Sequence, residues 1–152
     1  MDAQKSLFDP ADRDALLARL TKLRPDAPRQ WGKMDLAQAL AHLSVTLEAA
    51  LGERHVPQVL IGKLLAPFFR GVMLGPRPFA KNAPTGRALV VSDPRDFARE
   101  RDRLVATIGR FVAAGPDAVA RQPHGFLGRV TGDEWGRVQW KHVDHHLRQF
   151  GG

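Results

Sequence analysis

The closing run Glu134-Trp135-Gly136-Arg137-Val138-Gln139-Trp140-Lys141-His142-Val143-Asp144-His145-His146-Leu147-Arg148-Gln149-Phe150 decides how the whole chain is read. At roughly 100° per residue, Val143, Leu147, Phe150 and Trp140 share one side, the mark of an amphipathic helix. Lys141, Asp144, Arg148 and Arg137 take the opposite, solvated side, and His145 leans toward them. His142 and His146 stand four residues apart, one above the other, on the edge of the apolar stripe. Thr131-Gly132-Asp133-Glu134 is a capping box that opens this helix, and Gly151-Gly152 ends it.

Working outward, the same punctuation recurs. Asp9-Pro10-Ala11-Asp12 sets an N-cap, a proline in the first turn and an acid, ahead of Leu16, Leu17, Leu20 and Leu23. Pro25 and Pro28 close that segment. A second helix is predicted from about Met34 to Leu51, stopped by Gly52. Asp93-Pro94-Arg95-Asp96 repeats the start signal for a third, with Phe97, Leu104, Val105, Ile108, Phe111 and Val112 behind it and Gly115-Pro116 as its stop. Between Pro57 and Leu74 lies a further apolar helical stretch, broken at Pro67. The Pro- and Gly-rich residues 75–91 read as an extended excursion with a short strand at Ala88-Leu89-Val90-Val91. Four long helices and one insertion give an all-α fold, a four-helix bundle with an extra short helical and irregular segment. At 152 residues the chain suits a single domain spanning 1–152.

Composition removes several chemistries. With no cysteine, disulfides, zinc–thiolate sites, thiol nucleophiles and iron–sulfur clusters are excluded. No segment approaches the roughly 18 apolar residues of a membrane span, and the start Met1-Asp2-Ala3-Gln4-Lys5 lacks the form of a secretory signal. A cytoplasmic protein with no membrane partner is expected. The net charge of +7 is carried mainly by arginines scattered among acids, as in Arg95-Asp96 through Arg99-Glu100-Arg101-Asp102-Arg103, the look of a solvated face. Basic residues are not interleaved with aromatics, so nucleic acid is not an expected partner. One stretch stands apart: between Glu53 and Asp93 there is no acid, while Arg54, Lys63, Arg70, Arg77, Lys81 and Arg87 supply six positive charges. It reads either as a solvated surface or as a face toward an anionic ligand.

Two imidazoles on one helix can share a transition metal but cannot close a site. The candidate third ligand is His42, the lone histidine of the second helix. There Leu36, Leu40, Leu43 and Leu47 form the apolar centre, and His42 lies about a quarter turn away, at the edge. In both helices the histidines occupy the border between core and solvent, with Asp35 and Gln38 beside His42 and Gln139 and Gln149 beside His142. Any of these four side chains could orient a ring N–H, although Asp35 also suits the first turn of its helix as an acid at the positive end of the dipole. The competing reading makes each histidine an ordinary hydrogen-bonded residue at a core edge. His55 and His124, beside Pro57, Pro123 and Gly125, read as loop histidines. Trp31, Trp135 and Trp140 read as core or rim packing, with Trp31 and Trp135 stapling helix entries.

The spacing of His42 from His142-x-x-x-His146, with a tryptophan before each of those two helices, resembles the DinB-like (YfiT-like) family of small four-helix bundles. His124-Gly125-Phe126-Leu127-Gly128, Glu134-Trp135-Gly136 and Lys141 to Phe150 resemble an uncharacterised branch of it. The likeness runs from Trp31 to Gly151 and is most specific in the second half of the last helix. It implies one divalent metal per chain, zinc or nickel, on His42, His142 and His146. It also implies a bacterial, thiol-dependent transferase using a low-molecular-weight thiol; hydrolysis at the metal, a small anionic substrate drawn by the acid-free stretch, and a homodimer are further expectations. The alternative is a metal-free helical scaffold that interacts with partners or anions through its surface.

Overall fold

The computed structural model describes residues 4–152 and is all-α over them. Six α-helices follow one another: α1 Pro10–Lys22, α2 Leu36–Ala50, α3 Leu60–Leu74, α4 Phe97–Ala114, α5 Pro116–Val119 and α6 Gly132–Gln149. Side-chain caps fix the starts of α1, α2, α4 and α6. The Asp9 carboxylate accepts the Asp12 N–H, Thr131 and Glu134 exchange bonds in a capping box, and Asp35 and Gln38 do the same at α2.

α2 is the axis of the core. Twelve of its fifteen residues are buried, as expected of a helix apolar on nearly every side. α4 packs most extensively against it and α6 lies on another flank, with α1 against α6. Leu40, Leu43 and Leu47 of α2 join Leu16 and Leu20 of α1, Leu104, Ile108 and Phe111 of α4, and Trp135, Val143 and Leu147 of α6 in one cluster. Arg103 of α4 reaches Glu48 of α2 at 2.7 Å and Glu100 at 3.1 Å, laying a charged strap over the α2–α4 seam. α3 touches α6 and rests on the loop at Phe126. A Cβ at Gly62 would come 2.9 Å from the Phe126 carbonyl oxygen, so a side chain there would lift the helix away.

Several local expectations are corrected. α4 starts at Phe97 under the Asp96 carboxylate, which accepts the Arg99 N–H, while Asp93 pairs with Arg95 outside the helix. Pro67 lies inside α3 without ending it. Both Pro67 and Lys63 are exposed, so the Lys63 carbonyl that loses its helical donor can turn to water. The expected strand at 88–91 is absent. Arg87–Leu89 forms a single 3-10 turn, and the described residues contain no strand, only an isolated bridge between His124 and Gly128. The short α5 starts directly at Pro116, the residue read only as a stop. No helix among the described residues is long and apolar enough to cross a membrane.

Candidate metal centre

The helices bring His42, His142 and His146 together: one ring nitrogen from each lies within 4.8 Å of the other two. Ring centroids are 4.8 Å apart for His42 and His142, 5.2 Å for His42 and His146, and 5.0 Å for His142 and His146. His42 comes from the middle of α2 and the others from one face of α6, so the α2–α6 packing that closes the core also closes the cluster.

Hydrogen bonds fix which nitrogen faces inward. A backbone carbonyl can only accept, so the 2.7 Å contact between His42 Nδ1 and the Leu89 oxygen puts the proton on Nδ1. His42 Nε2 is left as a lone pair, 3.0 Å from His142 Nε2. The same logic applies at His146. Gln149 Nε2 donates to the Trp31 carbonyl at 2.7 Å, which turns Gln149 Oε1 toward His146 Nδ1, also at 2.7 Å. His146 Nδ1 is therefore a donor and its Nε2 a second inward lone pair, for which the described residues supply no hydrogen-bond partner. His142 Nδ1 faces Thr46 Oγ1 at a long 3.5 Å.

Burial keeps these rings neutral. Desolvation lowers the pKa of His42, and the Leu89 carbonyl opposes it only in part. Desolvation, and then the neighbouring His42 and His146, hold His142 well below the ordinary imidazole range. Burial pushes His146 down to about 3. Neutral imidazole is the form that coordinates a metal.

Of the four side chains expected to orient the rings, Gln149 does so directly. Gln139 receives the Thr46 hydroxyl at 3.3 Å and so stands one step behind His142. Asp35 and Gln38 serve as the cap of α2, and Gln38 also donates to the Asp93 carbonyl, so neither touches a histidine. The carbonyl of Leu89 was not foreseen, because a backbone acceptor in an irregular segment leaves no mark in residue identity.

Two residues placed on the solvated side of α6 are in fact buried. His145 is 8% exposed, between Trp31 and Phe79 at centroid distances of 5.5 Å and 6.0 Å. Its ring lies 5.1 Å from that of His146 but outside the three-nitrogen group, and burial pushes its pKa down to about 4. Lys141 is covered by α3. Its ammonium donates to the carbonyls of Val72, Met73 and Gly75 at 2.6, 3.2 and 3.0 Å and lies over the Phe79 ring. Burial brings its pKa down to about 8. In both cases the insertion covers a face that a lone helix would leave wet.

His124 is a loop residue, as expected, but a structural one. Its Nδ1 accepts the N–H groups of Phe126 and Leu127 at 3.1 and 3.2 Å. His55 is exposed. Trp135 is core, with its indole N–H on the Gln122 carbonyl. Trp31 packs on His145, and the Lys81 ammonium lies over its ring, 4.9 Å from the centre.

A family model described as "Protein of unknown function (DUF1569)" matches residues 2–151, all but the two ends of the chain. The chain belongs to the DUF1569 family. No curated protein and no solved structure matches it. For this DUF1569 protein, what the site can do rests on its own geometry: three neutral imidazoles converge, two with their outer nitrogens anchored, at the rim of a helical core.

Proposed function

We propose that this DUF1569 chain is a metal-dependent enzyme of DinB-like, four-helix-bundle architecture, holding one divalent transition metal on His42, His142 and His146. The observation that carries the reading is the pair of anchored tautomers. Leu89 O and Gln149 Oε1 commit two Nδ1–H groups outward, so two lone pairs face the third ring. Anchoring of the distal ring nitrogen is what metal-ligating histidines need. The residues therefore fit the ion that the sequence resemblance implies. Imidazole ligands suit zinc and nickel alike, so they do not select between them.

A divalent ion held by three neutral imidazoles supplies an open position and Lewis acidity toward a water or a thiol. The protein's own residues then do the rest. Phe79, 6.1 Å from His142, and Trp31 behind His145 form aromatic walls that limit water around the cluster. Lys81 over Trp31, with the exposed Arg77, gives that side a positive field suited to a small anionic substrate or a low-molecular-weight thiol. Transfer to a thiol, or hydrolysis, is the reaction class that follows.

One observation favours a second reading, a metal-free scaffold. A proton on His142 Nε2 would hydrogen-bond the His42 lone pair across the same 3.0 Å. That pairing still leaves His146 Nε2 without a donor. Assays of thiol transfer and of hydrolysis on small substrates, run with metal-free and metal-loaded protein, separate the two. Turnover that depends on metal, and that falls when Arg77 and Lys81 are reversed to Glu by a margin that shrinks as salt rises, supports the enzyme. An inert but fully loaded protein supports the scaffold.

A further inference from the structure

The metal centre leaves the outer face of α3 unexplained. Leu60, Ile61, Leu64, Leu65, Phe68 and Val72 are exposed there, with Leu60 at 81%, Leu64 at 83% and Phe68 at 72%. Spacings of one, three and four residues place all six on one continuous side of the helix. Gly62, Phe69 and Met73 occupy the other side, toward the body of the protein. Large contiguous apolar patches on a soluble domain mark interaction surfaces.

The charges around this face say what covers it. α3 lies inside the stretch from Arg54 to Ser92, which has no carboxylate side chain. Lys63 on α3 itself and Arg87 are both exposed, and no salt bridge to either occurs among the described residues. Arg87 follows Gly86, which approaches the ring of Phe126, the residue whose backbone lies under Gly62. Arg77 and Lys81 continue the positive field beyond the end of the helix. A second copy docking through this face brings no acid from the segment to meet these bases. A surface that is apolar within and anionic at its rim matches both properties at once.

We propose that α3 is an interfacial helix that seats this protein on an anionic lipid surface, its six apolar residues among the acyl chains and Lys63 and Arg87 at the headgroups. Apolar insertion combined with flanking bases is how a helix lies in a membrane interface without spanning it. The seat also borders the metal centre, since Lys141 holds the last carbonyls of α3 from the position next to His142.

The test is flotation of the full-length chain with phosphatidylcholine vesicles, with and without phosphatidylglycerol, at low and high salt. Binding is expected only with the anionic vesicles and should weaken as salt rises. K63Q/R87Q should lower the partition constant about 25-fold, from about fivefold per base near the surface. L64S/F68S should lower it by at least about tenfold, with an unchanged circular dichroism spectrum because both side chains are already exposed. Absence of anionic-vesicle binding at low salt overturns the proposal. So does a concentration-dependent dimer in sedimentation velocity that L64S/F68S converts to a monomer, since the occupant would then be a second copy. Metal binding is measured separately on the same variants, so failure here is distinguishable from failure of the three-histidine reading.

Discussion

Replacing His146 or His145 by Ala perturbs adjacent buried rings of the same size, yet only the first change should abolish metal binding. His146→Ala removes one of the three converging nitrogens and leaves Gln149 Oε1 without its donor. With two imidazoles remaining, affinity for a divalent ion should fall by more than about 100-fold, beyond the range of changes outside the ligand set. His145→Ala removes a ring that packs on Trp31 and Phe79 but bonds to none of the three ligands. Its metal affinity should stay within about tenfold of the parent. Its stability should nonetheless fall by about 1–3 kcal/mol, the usual cost of truncating a buried side chain. The assay is competition with a chromophoric chelator on metal-free, untagged protein, paired with urea unfolding without metal. Equal loss of affinity in both variants would refute the assignment of ligands on α6. A large loss confined to His145→Ala would refute it outright.

Gln149→Leu removes the acceptor that holds His146 Nδ1 and the donor to the Trp31 carbonyl, so metal affinity should fall about 10- to 100-fold with all three ligands present; an unchanged affinity by the same competition would show that the tautomer is not set there. His124 should govern part of the acid sensitivity. Its Nδ1 must be unprotonated to accept two N–H groups, and burial lowers its pKa to about 4 against 6.5 in the unfolded chain. The unfolded state then binds more protons between those values, so stability is full above pH 6.5 and falls as pH drops toward 4. His124→Asn keeps an acceptor that does not titrate and should lose about 3 kcal/mol less than the parent over that interval, measured by urea unfolding at each pH. Parallel pH profiles in the two proteins would overturn this.

The helices were legible because their signals are local. Asp9, Asp35 and Thr131 sit where caps must sit, and the leucines of α2 declare a helix buried on nearly every side. The histidine cluster was legible for a related reason. Helical phase is a property of spacing, and His142 and His146 stand on the side that α2 covers. What escaped depends on parts of the chain that phase does not describe. Lys141 and His145 look solvated on an isolated α6 and are buried because α3, Trp31 and Phe79 cover them. Asp93 and Asp96 compete as caps within three residues, and the choice falls to Asp96 while Arg95 holds Asp93 outside the helix. Leu89 contributes only its carbonyl, and no alternation of side chains reveals that Arg87–Leu89 will turn rather than extend.

The most direct test is a titration of metal-free, untagged protein with zinc, read by calorimetry. One ion per chain should bind, and binding should disappear in the triple variant His42→Ala, His142→Ala, His146→Ala while its helical content is retained. Absence of binding in the parent, or stoichiometric binding that survives in the triple variant, would contradict a metal centre built on these three histidines.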